Sequence, residues 1–409
     1  MRQSRTTGIA ESIVHVTGAL LILCLLLLVA CSDSEDDTSA PTMQQDAPII
    51  TSFSPQSGTP GDTVTVFGHN FVIAPGDIGV TFGGVAAVPR VVNDTEIVVA
   101  VPVGAISGPL AASSNGPGEN SETEFTVIWE KTSYPGNAVD FSNVCWTGTQ
   151  FVAVGELGAV ITSSDGLTWT RHAISPAVNL TAVAAGGGQI VAGGSSGSMF
   201  RSTNGSSWQL LQSIPLERTD VVTSIATNGS LFVAAPKDRG FVIESSNGIS
   251  WLRDSVANDA SLRYVLYGDR FVLFTERDTI WYSTDGLFWD LRLTNLVSPA
   301  VKAGAYHGTR TVIVKPNSLF STTNIASGMW TDATPSAALM TAFDDITWAG
   351  LFFIVVGPEA IWSIDGVAWH TLAEFPESPT ADVHVASSPD AVVAVGGFGN
   401  SIMIWRKPL

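Results

Sequence analysis

Ser163-Ser-Asp-Gly-Leu-Thr-Trp169, Ser202-Thr-Asn-Gly-Ser-Ser-Trp208, Ser245-Ser-Asn-Gly-Ile-Ser-Trp251, Ser283-Thr-Asp-Gly-Leu-Phe-Trp289 and Ser363-Ile-Asp-Gly-Val-Ala-Trp369 repeat one pattern, S-x-[DN]-G-x-x-W. A degenerate copy, Ser321-Thr-Thr-Asn-Ile-Ala-Ser-Gly-Met-Trp330, stands in the remaining gap. The tryptophans at 169, 208, 251, 289, 330 and 369 are 39, 43, 38, 41 and 39 residues apart, so each period is one structural unit. The Asx-Gly step signals a hairpin, because Gly accepts φ > 0 and the Asx side chain bonds its own turn backbone. Three further strand runs precede the tryptophan strand of a unit, for example Leu180–Ala185, Gln189–Gly193 and Ser198–Ser202. Four strands in a period of this length make a β-propeller blade. The second strands, such as Phe151–Val154, Leu231–Ala234, Phe271–Phe274, Phe352–Val356 and Ala391–Val395, are apolar at successive positions, as expected where neighbouring blades cover both faces.

Third-strand runs occur seven times, the last being Ser401–Arg406, after which no fourth strand run remains before Leu409. A candidate for the missing strand lies upstream. Ile128-Trp129-Glu-Lys-Thr132 resembles Leu167-Thr-Trp-Thr-Arg171, and Trp129 lies 40 residues before Trp169. The sequence therefore predicts a seven-bladed propeller over 128–409, closed by strand 128–132, which removes an exposed sheet edge. The motif resembles the Asp-box of sialidases and related propellers, with one residue fewer between Asp and Trp than many versions carry. Asp165, Asp285 and Asp365 are read as turn locks rather than cation ligands, since two copies carry Asn, which would deprive a hard cation of a charged ligand. The tryptophans are read as packing between blades.

The composition agrees with an all-β chain: 39 Gly, 21 Pro and 12 Trp in 409 residues, with no helical periodicity beyond the apolar leader. The balance of 37 Asp+Glu against 19 Lys+Arg, without a basic stripe, argues against a nucleic-acid partner. Only Cys24, Cys31 and Cys145 are present, which rules out a disulfide framework and leaves Cys145 as a small buried hydrophobe.

At the N-terminus, Arg2 and Arg5 precede the apolar run Ala19–Ala30, too short to span a bilayer comfortably and followed at once by Ser32-Asp-Ser-Glu-Asp-Asp. This is the layout of an export signal over 1–30. Leu28-Val29-Ala30-Cys31 resembles the lipobox of bacterial lipoproteins, which implies cleavage before Cys31 and a membrane anchor on that cysteine. By the same resemblance, Ser32 implies transfer to the outer membrane. Residues 31–47, rich in Ser, Asp, Thr, Pro and Gln, read as a flexible tether.

Short strand runs separated by turn residues follow: Ile49–Ser54, Thr63–Gly68, Val80–Gly84, Thr95–Pro102 and Phe125–Ile128, with alternation in Val64/Val66 and Ile97/Val99/Val101. These predict a small β-sandwich. Ile50-x-x-Phe53-x-Pro55-x-x-Gly58-x-x-Gly61-x-x-Val64-Thr-Val66-x-Gly68-x-Asn70-Phe71, with Phe82-Gly83-Gly84, resembles the IPT/TIG domain, which implies an immunoglobulin-like fold over 48–127. Gly61, Gly68, Gly83 and Gly84 are read as positions of positive φ or close packing, and Asn70 as a loop-stabilising side chain.

Function is less legible. The loops joining second and third strands carry Glu156, Lys237, Asp238, Arg239, Glu276, Arg277, Asp278, Lys315 and Glu359, which ring symmetry would bring around one channel mouth. They are the candidate binding residues, for an envelope or extracellular protein or a polysaccharide. The histidines His69, His172, His307, His370 and His384 show no metal-ligand spacing, no Gly-x-Ser-x-Gly elbow or P-loop is present, and no cofactor is implied. The expectation is a monomeric, non-enzymatic binding or scaffold module, the scaffold role also being implied by similarity to photosystem assembly-factor propellers. The alternative is a sialidase-like glycosidase drawing on Arg201, Arg239, Arg263, Tyr264 and Glu276, although no Arg-Ile-Pro segment accompanies them.

Overall fold

The second strands set the frame: Phe151–Gly155, Phe232–Pro236, Phe271–Thr275 and Ala391–Val395 are buried along their whole length. A strand buried on both faces needs sheets packed on either side, and seven four-stranded antiparallel sheets supply them. The computed structural model describes residues 47–71, 78–114, 119–256, 261–276, 279–296, 301–336, 342–373, 375–376 and 378–407. The leader, Cys31 and the tether up to residue 46 lie outside these, as do Arg277 and Asp278. Blades one to six span 141–173, 180–210, 222–255, 262–293, 303–332 and 345–373. The first strand of each blade neighbours that of the next, and that of the seventh neighbours that of the first, so the ring is closed.

Blade seven is assembled differently. Its first three strands are His384–Ser387, Ala391–Val395 and Ser401–Arg406, and its fourth is Glu130–Ser133, from the other end of the propeller sequence. The pairing is antiparallel, with Glu130 opposite Ile404 and Ser133 opposite Ser401. Arg406 Nε donates to Glu130 Oε1 at 2.6 Å, and the Tyr134 hydroxyl lies 3.1 Å from Gly399 O. This strand starts two residues later than the 128–132 read from sequence. The Ile128 N–H bonds Gly58 O at 3.0 Å in the preceding module, and Trp129 is fully buried between the two.

That module, over 49–127, is a sandwich of two sheets. One runs in the order Ile49–Ser54, Thr63–His69, Glu96–Ala100, Pro89–Val92, the other Ser57–Gly58, Glu119–Val127, Gly108–Ser114, Ile78–Phe82, Val85–Ala87. Val64, Val66, Ile97 and Val99 point into a core organised by Phe53, Phe82 and Phe125, the last two rings meeting edge to face 5.0 Å apart. A Cβ at Gly68 would sit 1.9 Å from Ile49 O, so this glycine permits the close approach of two strands. Asn70, at φ 63°, donates from Nδ2 to Ala47 O. Gly108–Ser114 is absent from the strands read in sequence. Its Ala-Ala-Ser-Ser run has low strand propensity, but it lies between two partner strands and buries Leu110 and Ala112.

The sandwich runs into the propeller without a spacer. Phe125 and Val127 share one core with Trp129, Val356, Met403 and Trp405. Trp405 Nε1 donates to Ala105 O at 3.0 Å, and Ser107 N donates to Leu372 O at 2.9 Å. Burying an aromatic side chain of 150–250 Å² stabilises by roughly 4–6 kcal/mol of transfer free energy, so Trp129 and Trp405 are major ties across this junction.

Candidate functional site

The repeat motif is a turn device. In blade one Asp165 Oδ1 accepts from Ser163 Oγ and from the N–H groups of Leu167 and Thr168, and in blade two Asn204 Oδ1 does the same for Ser202, Ser206 and Ser207. Asp and Asn are interchangeable because one oxygen does the work. The following glycine has positive φ and packs on the preceding blade: a Cβ at Gly166 would meet Ile404 and Val393 of blade seven, and one at Gly205 would meet Val152 and Gln150 of blade one. The N–H donors of Leu287 and Phe288 and the Ser283 hydroxyl hold the Asp285 carboxyl below its ordinary pKa.

The first strands of all seven blades line a central cavity of about 280 Å³. Blades one to four each carry a β-bulge at the start of this strand, between Phe141 and Asn143, Leu180 and Ala182, Val222 and Ser224, and Leu262 and Tyr264. A bulge re-aims a side chain, and here several of them reach the next blade. Asn143 Oδ1 accepts from Val183 N, Ser224 Oγ from Val265 N, the Tyr264 hydroxyl from Gly304 N and Asp345 Oδ2 from Val385 N, and each bond spans 40 or 41 residues of sequence.

Charge gathers on one side of the cavity. Lys302 Nζ lies 2.6 Å from Asp344 and 3.2 Å from Asp382, and His384 Nδ1 lies 3.7 Å from Asp345. Burial works against the Lys302 charge, but Asp344 and Asp382 more than offset it and raise its pKa. Burial pushes the Tyr264 phenol well up, and Asp345 adds to the shift. The result is a polar mouth with more carboxylates than cations, held rigid by bonds between blades.

The described residues among the loop positions singled out from sequence are placed otherwise, and none of those lines this cavity. Glu156, Lys237, Asp238 and Glu359 are exposed on the loops joining second and third strands. Arg239 is tied to Asp220, whose side chain is 2% exposed, with its Nε 2.6 Å away. Arg263 bridges Asp238 at 3.0 Å and also pairs with Glu276. Lys315 corrects the expectation of an exposed loop cation: it ends the strand Arg310–Lys315, is 2% exposed, and holds its ammonium 5.4 Å from the Phe320 ring centroid. Arg277 and Asp278 lie outside the described residues. Cys145 is half-buried against the core between blades one and two, where burial pushes its thiol up to about 12. The residues sequence reasoning missed are Lys302, Asp344, Asp345, Asp382 and His384. The available signal was the repeat itself, since Asn143, Ser224, Tyr264 and Asp345 each pair with the fourth residue of their own second strand, Val154, Ala235, Phe274 and Val356.

The IPT/TIG domain model matches residues 48–127. A search of curated proteins finds no match. Among solved structures, the WD40 β-propeller domain of Doa1 covers 68% of this chain and 97% of its own, at 12% identity and a TM-score of 0.56. YCF48 bound to D1 peptide covers 68% and 94%, at 15% identity and 0.53, and virginiamycin B lyase from Staphylococcus aureus covers 68% and 98%, at 9% identity and 0.55. At such identities the likeness is one of fold.

Proposed function

We propose that this chain is a cell-envelope lipoprotein, cut before Cys31 and anchored in the outer membrane by acyl chains on that residue, which presents a non-enzymatic module for binding a protein or polysaccharide. Leu28-Val29-Ala30-Cys31 supports the anchor, and the Ser/Asp/Thr-rich stretch that follows supports a tether. The observation that carries the binding reading is the polar mouth of the channel, where Lys302, Asp344, Asp345 and His384 from three successive blades line one cavity and the exposed Asp382 lies 3.2 Å from Lys302. Side chains fixed in advance lose little freedom on meeting a ligand, which is the advantage of a preorganised site.

A glycosidase reading is less well supported. A tyrosine nucleophile needs an accessible, acidified phenol, whereas Tyr264 is shifted the other way and accepts the Gly304 N–H. Arg239, Arg263 and Glu276 are engaged in ion pairs among loops and strands. The test is affinity capture from envelope extracts with the full-length protein as bait, beside the variants Lys302→Gln and Asp344→Asn. Capture of a partner that both variants lose is the expected result. A partner retained by both, or turnover of a fluorogenic sialoside by the wild type, would overturn the reading. Metabolic labelling with a radioactive fatty acid, lost in Cys31→Ala, tests the anchor separately.

A further inference from the structure

The hairpin turns of the repeat motif do more than reverse the chain: each covers the blade before it. Gly205 sits over Gln150 and Val152, Gly248 over Gln189 and Val191, Gly286 over Leu231 and Val233, Gly366 over Arg310 and Val312, and Gly166 over Val393 and Ile404. In blade five the degenerate motif uses Ile325 instead, buried with Val272 and Ile280 of blade four. Blade seven is the exception. Because its fourth strand, Glu130–Ser133, comes from upstream, no such turn connects it to Ser401–Arg406. The corresponding place on blade six is Phe352, which immediately precedes Phe353 just as Gln150 precedes Phe151 and Leu231 precedes Phe232; each of those second-strand residues pairs with its motif serine.

Phe352 packs on Trp362 and on Trp405 of blade seven, and beside it the described residues leave a cavity of about 440 Å³, lined by Trp146, Trp348, Leu351, Phe352, Ser387 and Lys407 among others. None of these lines the polar mouth. Two indoles and a phenyl ring form its walls, with Trp348 held by His307 stacked on it at 3.7 Å. Among the described residues, the ammonium of Lys407 is its one lining cation. It donates to Ser387 Oγ at 2.6 Å and to Ser388 O, with the exposed Asp390 nearby.

We infer that the gap left by ring closure is a binding site for a hexuronic-acid residue of a glycan. Flat aromatic walls suit the C–H faces of a pyranose ring, the Lys407 ammonium suits its carboxylate, and the Ser387 hydroxyl can exchange hydrogen bonds with ring hydroxyls. A hydrogen-bonded ion pair in a partly desolvated cavity is the strong contact of this set. Burial lowers the Lys407 pKa to about 8, so a bound carboxylate, by favouring the charged ammonium, makes binding weaken as pH rises above that value.

Titration calorimetry of the full-length protein with tri-galacturonate, with the neutral galactose trimer and with an N-acetylated aromatic dipeptide carboxylate tests this. Saturable binding of tri-galacturonate alone is expected, weakened about 10-fold or more by Lys407→Gln, since a hydrogen bond to a charged group contributes roughly 1.5–3 kcal/mol. Trp348→Ala should weaken it too, with thermal unfolding of both variants recorded to show that they fold. Absence of tri-galacturonate binding overturns the inference, as does equal binding of the neutral trimer or preference for the dipeptide. Loss on Lys302→Gln with Lys407→Gln unaffected places the sugar at the polar mouth, which overturns this site while leaving the binding-module reading intact.

Discussion

Blades one to six are each drawn from one continuous stretch of chain, whereas blade seven joins Ser401–Arg406 to a strand more than 260 residues upstream. The continuous blades hold together by local means: in five of them a motif serine, an Asx oxygen and a glycine close a hairpin within a few residues, and in blade five the degenerate turn around Ile325–Ser327 does so. Blade seven has no such turn, and its stability rests on long-range ties instead, namely the strand pairing itself, Arg406 to Glu130, Asn400 to Gly136 O and the buried Trp129 and Trp405. The same device that seals the ring therefore couples it to the sandwich and leaves Phe352 without a motif turn over it. One exception in a repeat carries three consequences.

The largest expected effect comes from breaking the exception. Deleting residues 128–133 leaves Ser401–Arg406 as an open edge and exposes the junction core, and thermal unfolding should fall by more than about 10 °C or lose its cooperativity. An unchanged midpoint would refute the closure. Trp405→Ala comes next. It empties a fully buried site and removes the bond to Ala105 O, and truncations of this kind cost about 3–5 kcal/mol by chemical denaturation. A loss no greater than that from Trp208→Ala, a partly buried motif tryptophan within the continuous blades, would remove the contrast between blade seven and the rest.

A smaller effect sharpens the contrast from the other side. In blade three Glu244 is 7% exposed, and burial, then Asp254, then Asp285 raise its pKa from 4.5 to about 7. An acid whose folded pKa is raised contributes stability while protonated, and that contribution is lost as pH rises from 4.5 through about 7. Glu244→Gln should accordingly leave the unfolding midpoint unchanged near pH 4 and raise it by a few degrees at pH 8, about 1–2 kcal/mol on the usual scale. The smallest effect belongs to the turn locks. Asp285 is held below its ordinary pKa, so its contribution is present above the unfolded carboxylate range and lost as pH falls through the folded value. Asp165→Asn, Asp285→Asn and Asp365→Asn combined should flatten the acid limb of the stability curve and leave neutral pH untouched. A marked loss at neutral pH would mean that the carboxylate charge does more than lock a turn.

The number of blades and the place of the hairpins were legible because the turn imposes local demands: positive φ at Gly166 or Gly205 and an acceptor two residues before the N–H groups it caps. Closure was legible for a similar reason, as Trp129 repeats the Trp169 context. The strand Gly108–Ser114 was hidden because burial between two partners, rather than propensity, makes it a strand. The polar mouth was hidden because the chemistry changes from blade to blade, with Asn143, Ser224, Tyr264 and Asp345 at one register and Lys302 and His384 beside it, so no residue type repeats. Loop charges misled for the opposite reason: Arg239 and Glu276 look available in sequence, but the fold gives each an oppositely charged neighbour.

Hydrogen exchange at the backbone amides of Glu130–Ser133 tests the closing strand most directly. If this segment is the fourth strand of blade seven, its ladder amides exchange as slowly as those of Ser401–Arg406 and open only with the whole propeller. Exchange at free-chain rates while Ser401–Arg406 stays protected would contradict the closure.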